Sequence, residues 1–387
     1  MKLLTLKTTF IFLALSCLPA YSQDTIKIDL EMKAALEGIV SNSATGSSIP
    51  GISVAIANKD GLLWSGSAGY SNIEDRQSIS QAHLFGIGDI TGQYVAAVIM
   101  QMAEDGLVDL ENTPYEILGD TVNDIENSDS ATLLELLNHT SGIYSWDNND
   151  DWARRGRGIQ FNPAYKWRKD EPLKYIEGNK NLATGKPGEK YSYSKSNYTI
   201  LGLIIEKLSG GLLEDEVRQR LLEPLNLKDT FYDTFEIVPR GRLAGNYHLG
   251  TDHFIKTVGI NANFPFESNQ LINSSGSTLS AEGIASGIVA TPRDLALFSM
   301  ALKNGDIIKP SSLEKLKTMQ FEDNTNIHSE ILGFTADQLW IADGELIITS
   351  FINLGTVNTG PNATTDYLNS YVKNILAPIA NKYASTE

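Results

Sequence analysis

Between Ile90 and Ala103 the chain reads ITGQYVAAVIMQMA, a stretch without a single charge. Wound at 3.6 residues per turn it is apolar on every face, and such a helix is buried on every face. A chain that contains it must wrap other elements around it, which demands a large core. The material is there: 387 residues, 42% of them hydrophobic. The helix stops at Glu104-Asp105-Gly106 and begins behind Phe85-Gly86-Ile87-Gly88-Asp89. Unpaired backbone N–H groups and the positive end of the helix dipole collect at an N-terminus. In a central helix, that is where a hydrolase stabilises charge developing on a nucleophile. The residue found there is Asp89.

The first residues, MKLLTLKTTFIFLALSCLPAYSQ, place Lys2 and Lys7 before a short apolar run and Ala20-Tyr21-Ser22 before Gln23. They read as a secretory signal over residues 1–22, which predicts a periplasmic or secreted bacterial protein. No stretch is long and apolar enough to span a bilayer. The one cysteine, Cys17, lies inside the signal and the residues before it match a lipoprotein box poorly. The mature chain then has no disulfide and no thiolate metal site, so its stability must come from packing. Losing Lys2 and Lys7 takes the net charge from −16 to −18, which argues against nucleic acid and anionic lipid as partners.

Two hairpins bracket the chain. GISVAIANKDGLLWSGSAGY (Gly51 to Tyr70) alternates around Asp60-Gly61, and LWIADGELIITSFINL (Leu339 to Leu354) alternates around Asp343-Gly344. Both are expected in one antiparallel sheet. Between them the signals are helical. Thr132 and Glu135 form a capping box; Thr291-Pro292-Arg293-Asp294 starts another helix; Asn197 to Leu208 is a third, stopped by Gly210. The fold class expected is α+β, one domain over residues 23–387. Its sheet lobe takes residues 23–119 and 281–387 and its helical lobe residues 120–280, with a ligand cleft between them. The only low-complexity tract is Ser41 to Ser48.

These pieces resemble, in order, the serine beta-lactamase and penicillin-binding-protein superfamily, in the branch of class C beta-lactamases, DD-carboxypeptidases and related esterases. The matching stretches are IPGISVAIANKDGLLWSGSAGY, LFGIGDITGQYVAAVIMQMAEDGLVDL, LLELLNHTSGI, KPGEKYSYSKSNYTILGLIIEKLSG, LLEPLNLKDTFY, SGIVATPRDLALF and IHSEILGFTADQLWIADGELIITSFINL. The resemblance implies a beta-lactamase/transpeptidase-like fold and a serine acyl enzyme acting on amide, ester or lactam bonds. The positions that should carry the chemistry depart from the pattern. The family's S-x-x-K, nucleophile and lysine one helical turn apart, falls on Asp89 and Gly92. Its Y-x-N falls on Tyr193-Ser194-Lys195, keeping the tyrosine and replacing asparagine by lysine. Its K-T-G or H-x-G, on an edge strand, matches His328-Ser329-Glu330 and lacks the glycine.

Removing the nucleophile of a serine hydrolase lowers turnover on the order of 10⁶-fold. The expected protein is therefore a family member without serine acyl chemistry, binding a peptide, glycan or ester small molecule in the cleft. The competing reading is a hydrolase in which Asp89 attacks or orients water while Tyr193 and Lys195 handle protons. A carboxylate in a closed cleft needs compensation. The helix N-terminus is one source, and an ion pair with Lys195, filling the volume vacated at Gly92 and joined by Tyr193, is the other. Trp146, Trp152 and Trp167 with Arg154, Arg155 and Arg157 lie where this family places a gate over its cleft; either they hold an anionic ligand or they simply pack. Ser192-x-x-Lys195 and Ser312-x-x-Lys315 fit the bare S-x-x-K pattern by chance frequency. No G-x-S-x-G, H-E-x-x-H or Walker loop occurs, and among His83, His139, His248 and His253 only the last pair, in a polar loop, has ligand-like spacing, so no cofactor and no metal are expected.

Overall fold

A computed structural model describes residues 23–41, 49–179, 181–233, 235–239, 241–268, 270–317, 325–360 and 367–384. The segment read as a signal, residues 1–22 with Cys17, and nearly all of the Ser41–Ser48 tract lie outside the described residues.

The two hairpins meet in one sheet, as their alternation requires. The first strand, Gly51–Asn58, pairs antiparallel with Gly61–Asn72 on one side and with Leu346–Ile352 on the other, in the register Val54 opposite Ser350. The last of these continues to Phe334–Ile341 and then to an outer strand, Asn326–Ile331. Six strands are paired in all, with Gln77–Ser78 at the opposite edge.

Each face of the sheet has its own cover. Ile52, Val54, Ile56, Leu339 and Ile348 pack under two terminal helices, Gln23–Ser41 and the helical segment Tyr367–Ala384. The first of these buries Ile28, Met32, Leu36 and Ile39, one stripe at helical spacing. On the other face Ala55, Ala57, Trp340 and Ile347 meet Ala296 and Met300 of the helix Pro292–Asn304. That helix starts as expected, with Thr291 accepting from the Asp294 N–H, proline in its first turn, and left-handed Gly305 closing it.

The uncharged stretch forms the helix Thr91–Glu104, buried from Thr91 to Met100 and again at Met102. It packs on the helix Lys195–Ser209, which left-handed Gly210 terminates, and on the short helix Gly283–Ser286. The Thr132–Glu135 capping box is present in both directions, heading the helix Leu133–Leu137. The stretch expected to be helical also contains the short strands Thr230–Tyr232, Tyr247–Leu249 and Leu271–Asn273, which join two small three-stranded sheets. No helix among the described residues is long and apolar enough to cross a membrane. The architecture is α+β and beta-lactamase/transpeptidase-like: an antiparallel sheet from both ends of the chain, with helices around a buried central helix.

Candidate functional site

Asp89 sits one residue before the capping position of the central helix, Ile90. It belongs to a 3₁₀ turn, Gly88–Ile90, that leads into the central helix and has no side-chain cap. Gly88 makes the turn feasible. Its φ is +53°, and a Cβ there would lie 2.2 Å from the Ser329 Oγ on the outer strand. That hydroxyl instead accepts the Asp89 backbone N–H at 2.6 Å. The expectation that helix N–H groups hold the carboxylate is therefore corrected, because the carboxylate is held from the side.

Three side chains converge on it. The Lys195 ammonium lies 2.9 Å from Asp89 Oδ1, and the Ser286 hydroxyl donates to the same oxygen at 2.7 Å. Tyr193 is a further hydrogen-bond partner of the carboxylate. Burial alone would raise the Asp89 carboxyl; the Lys195 charge and the hydrogen bonds outweigh it and leave the group below its ordinary value. Lys195 shows the mirror effect. Burial would discharge the amine, but Asp89, Glu282 and Asp147 hold it protonated and raise its pKa.

Behind this pair lies a network that the sequence did not announce. Glu282, buried, stands 3.3 Å from the ammonium, and Asp147 stands 3.7 Å from it. Arg157 grips Glu282 with two bonds, Nε at 2.6 Å and Nη2 at 3.0 Å, and donates from Nη1 to Asn358 at 2.9 Å. Its guanidinium also lies over the Trp152 ring, 4.7 Å from the centroid. Planar bidentate geometry of this kind is particular to arginine. Neither Glu282 nor Asp147 belongs to a repeating pattern or a motif, so only three-dimensional proximity identifies them.

The pair opens onto a crevice of about 440 Å³. Its walls include Asp89, Gly92, His139, Tyr191, Tyr193, Tyr198 and, from the outer strand, Asn326 and His328. Four of the five positions singled out from sequence, Asp89, Gly92, Tyr193 and His328, line it; the fifth, Lys195, lies behind Asp89 and is only 2% exposed. His328 has its Nδ1 2.6 Å from Asp337 and its Nε2 2.8 Å from Glu330. Burial would lower its pKa, but the hydrogen bonds and charges of the two carboxylates raise it to about 10. The imidazole is thus an imidazolium at neutral pH. His139, in contrast, is driven by burial down to about 4, and its Nδ1 accepts the Ser194 N–H at 3.1 Å.

One expectation is corrected by packing, and two open alternatives are narrowed by it. Lys195 does not occupy an empty volume at Gly92, because the Tyr198 ring lies there: a Cβ on Gly92 would come within 3.0 Å of Tyr198 Cε1. Of the two readings of the aromatic and basic segment, the contacts favour packing. Trp146, Trp152 and Trp167 are buried, Arg157 is locked to Glu282, and Arg154 donates to the Thr257 carbonyl at 3.1 Å. Arg155 lies over Tyr165 and Trp167, 5.3 Å from each centroid. The serine alternatives also fail, since Lys195 turns to carboxylates rather than to Ser192, and Ser312 with Lys315 lines a separate surface hollow beside Glu104. No cluster of three metal-ligating residues occurs among the described residues.

Comparison with known proteins agrees with this architecture. Penicillin-binding protein 4 of Amycolatopsis lactamdurans is 29% identical over 209 residues, which is 53% of this chain and 50% of that protein. Protein flp of Staphylococcus aureus strain MW2 is 23% identical over 198 residues, 51% of this chain and 38% of that protein. The matched region thus spans half or less of these relatives. Among solved structures, D-amino acid amidase from Ochrobactrum anthropi SV3, complexed with L-phenylalanine amide, superposes with a TM-score of 0.73 at 21% identity, covering 90% of this chain and 99% of that one. The octameric penicillin-binding protein homologue from Pyrococcus abyssi superposes at 0.68 with 20% identity, covering 88% and 77%. At such identities these structures speak for the fold. Residues 36–344 match the family model described as Beta-lactamase, and the chain belongs to that family.

Proposed function

We propose that this is an exported beta-lactamase-family protein that binds a ligand in the crevice and forms no serine acyl enzyme. One observation carries the reading: the residue opening the central helix is a carboxylate, ion-paired at 2.9 Å to a buried lysine. In a serine acyl enzyme that seat holds a hydroxyl, and the neighbouring base must be able to take its proton. Here the base is a lysine kept protonated by three carboxylates. The Ser286 hydroxyl beside it is fully buried and donates to Asp89, so its oxygen is not presented to a substrate. Export is supported by the N-terminal signal pattern.

The test is covalent labelling. The purified protein is incubated with a fluorescent penicillin and with a fluorophosphonate, beside the triple variant Asp89→Ser/Gly92→Lys/Lys195→Asn. No label on the natural protein is expected, and label on any of its serines overturns the reading.

A second reading is favoured by a specific feature. The Asp89 side chain keeps 29% of its surface open to the crevice and is held ionised. In that reading Asp89 attacks a carbonyl or orients water, with Tyr193 and Lys195 stabilising the product charges. Hydrolysis of simple aryl esters or anilides by the natural protein, abolished by Asp89→Ala, establishes it in place of the first.

A further inference from the structure

Every cation among the described residues that borders or backs the crevice is already committed. Lys195 has its ammonium within reach of oxygens of Asp89, Glu282 and Asp147. Arg157, 1% exposed, spends its guanidinium on Glu282 and Asn358. His328 has one carboxylate on each ring nitrogen. Lys195 and His328 have their N–H groups turned to these carboxylates, and Arg157 is sealed from the crevice by burial. Each of the two clusters also contains one carboxylate more than it has cations, so the field at the crevice wall is negative. A wall of that sign repels carboxylates and phosphates.

What the crevice does present is a partly open carboxylate, Asp89, beside aromatic faces. Tyr191 is 61% exposed and Tyr193 38% exposed. They flank the neutral His139 ring, whose centroid lies 5.8 Å from that of Tyr191 and 4.5 Å from that of Tyr193. Electron-rich ring faces next to a carboxylate are the elements that recognise organic cations. A volume of about 440 Å³ suits a small molecule or the end of a chain.

We propose that the crevice is a binding site for an organic ammonium group, its nitrogen directed at Asp89 and its apolar arm laid on Tyr191 and Tyr193. The proposal rests on the reading that the crevice binds rather than acylates. It names the ligand's charge and shape. The chemistry recognised is the same whether the ammonium is that of a free amine or of a peptide N-terminus.

The purified protein is titrated, with ligand-observed NMR as readout, with 2-phenylethylamine and its isosteres phenylacetate and 2-phenylethanol. A dipeptide amide with a free N-terminus and its N-acetylated form are run in parallel. The amine is expected to bind at least about tenfold more tightly than either isostere. A matching preference for the free over the acetylated dipeptide extends the site to peptides. Asp89→Asn removes the preference. Tyr191→Ala, at an exposed ring remote from the core, weakens the amine by about twofold to fivefold and serves if Asp89→Asn does not fold. Absence of amine binding, equal binding of phenylacetate, or an amine preference that survives both substitutions overturns the proposal. These failures are distinct from failure of the functional reading, which is registered by serine labelling of the same protein sample.

Discussion

Replacing Lys195 by methionine isolates the network's central interaction, because methionine fills much of the same volume without the charge. In the native cluster Asp89, Asp147 and Glu282 share Lys195 and Arg157; in Lys195→Met they share Arg157 alone. Removing one partner of a buried ion pair costs about 3–5 kcal/mol. A second route gives the same size. Asp89 can escape the penalty by taking up a proton, and holding protonated at pH 7 a carboxyl that ionises near 4 when unfolded costs about 4 kcal/mol, at 1.36 kcal/mol per unit. The pH dependence follows in sign. The native Asp89 carboxyl is lowered, so its contribution is present above the unfolded value and lost as the pH falls through the folded one. In the variant the folded state binds a proton that the unfolded state lacks, so its stability falls with rising pH, by up to about 1.4 kcal/mol per unit between roughly 4 and 7. Urea unfolding of both proteins at several pH values reads this directly, and adding Asp89→Asn to Lys195→Met should recover much of the loss. A Lys195→Met penalty below about 1 kcal/mol that does not vary with pH would refute the buried cluster.

Two more predictions concern the crevice walls. The His328 imidazole, raised to about 10, should keep the Cε1–H shift of an imidazolium at pH 8; since its folded pKa exceeds its unfolded value, its contribution to stability is complete below about 6.5 and disappears as the pH rises through about 10. His328→Gln should flatten that part of the stability profile, and a neutral imidazole signal at pH 8 contradicts the two-carboxylate clamp. Gly92→Ala should destabilise by about 1 kcal/mol, because overpacking against the buried Tyr198 ring exceeds the gain in helix propensity. The loss, measured by urea unfolding, should vanish in a Tyr198→Ala background, and a stabilised Gly92→Ala would show that the ring yields freely.

The parts of the fold that were legible in the sequence are those with local causes. Hairpin alternation around Asp60-Gly61 and Asp343-Gly344, the Thr132 and Thr291 caps, and the stop at Gly210 depend on neighbours within a few residues, and each appears where its pattern places it. The helix Gln23–Ser41 carried a readable stripe at Ile28, Met32, Leu36 and Ile39, but it went unread beside the apolar run that precedes it in sequence. Asp89 and Lys195 could be paired from sequence because both sit at motif positions. Glu282, Asp147 and Ser286 could not, since each reaches the site from a segment whose local pattern says nothing of it. Arg157 was left with two readings for the same reason: an arginine among surface-like charges shows no partner until Glu282, 125 positions along the chain, is placed beside it.

Three of the departures from the family pattern, at positions 89, 92 and 195, make physical sense only together. Aspartate at position 89 alone would put an uncompensated carboxylate into a crevice backed by Glu282 and Asp147, a like-charge arrangement that is strongly unfavourable. Lysine at position 195 alone would add an ammonium beside the one that S-x-x-K places a turn after the nucleophile. Glycine at 92 removes that second cation, and the Tyr198 ring closes over the backbone it leaves. The result keeps one lysine against the same carboxylates but reverses its source, from the helix that carries residue 89 to the helix that faces it. A site worn down without constraint would be expected to lose charge. This one holds two buried cations and three carboxylates in one connected network, so the wall behind the crevice is charged and internally paired.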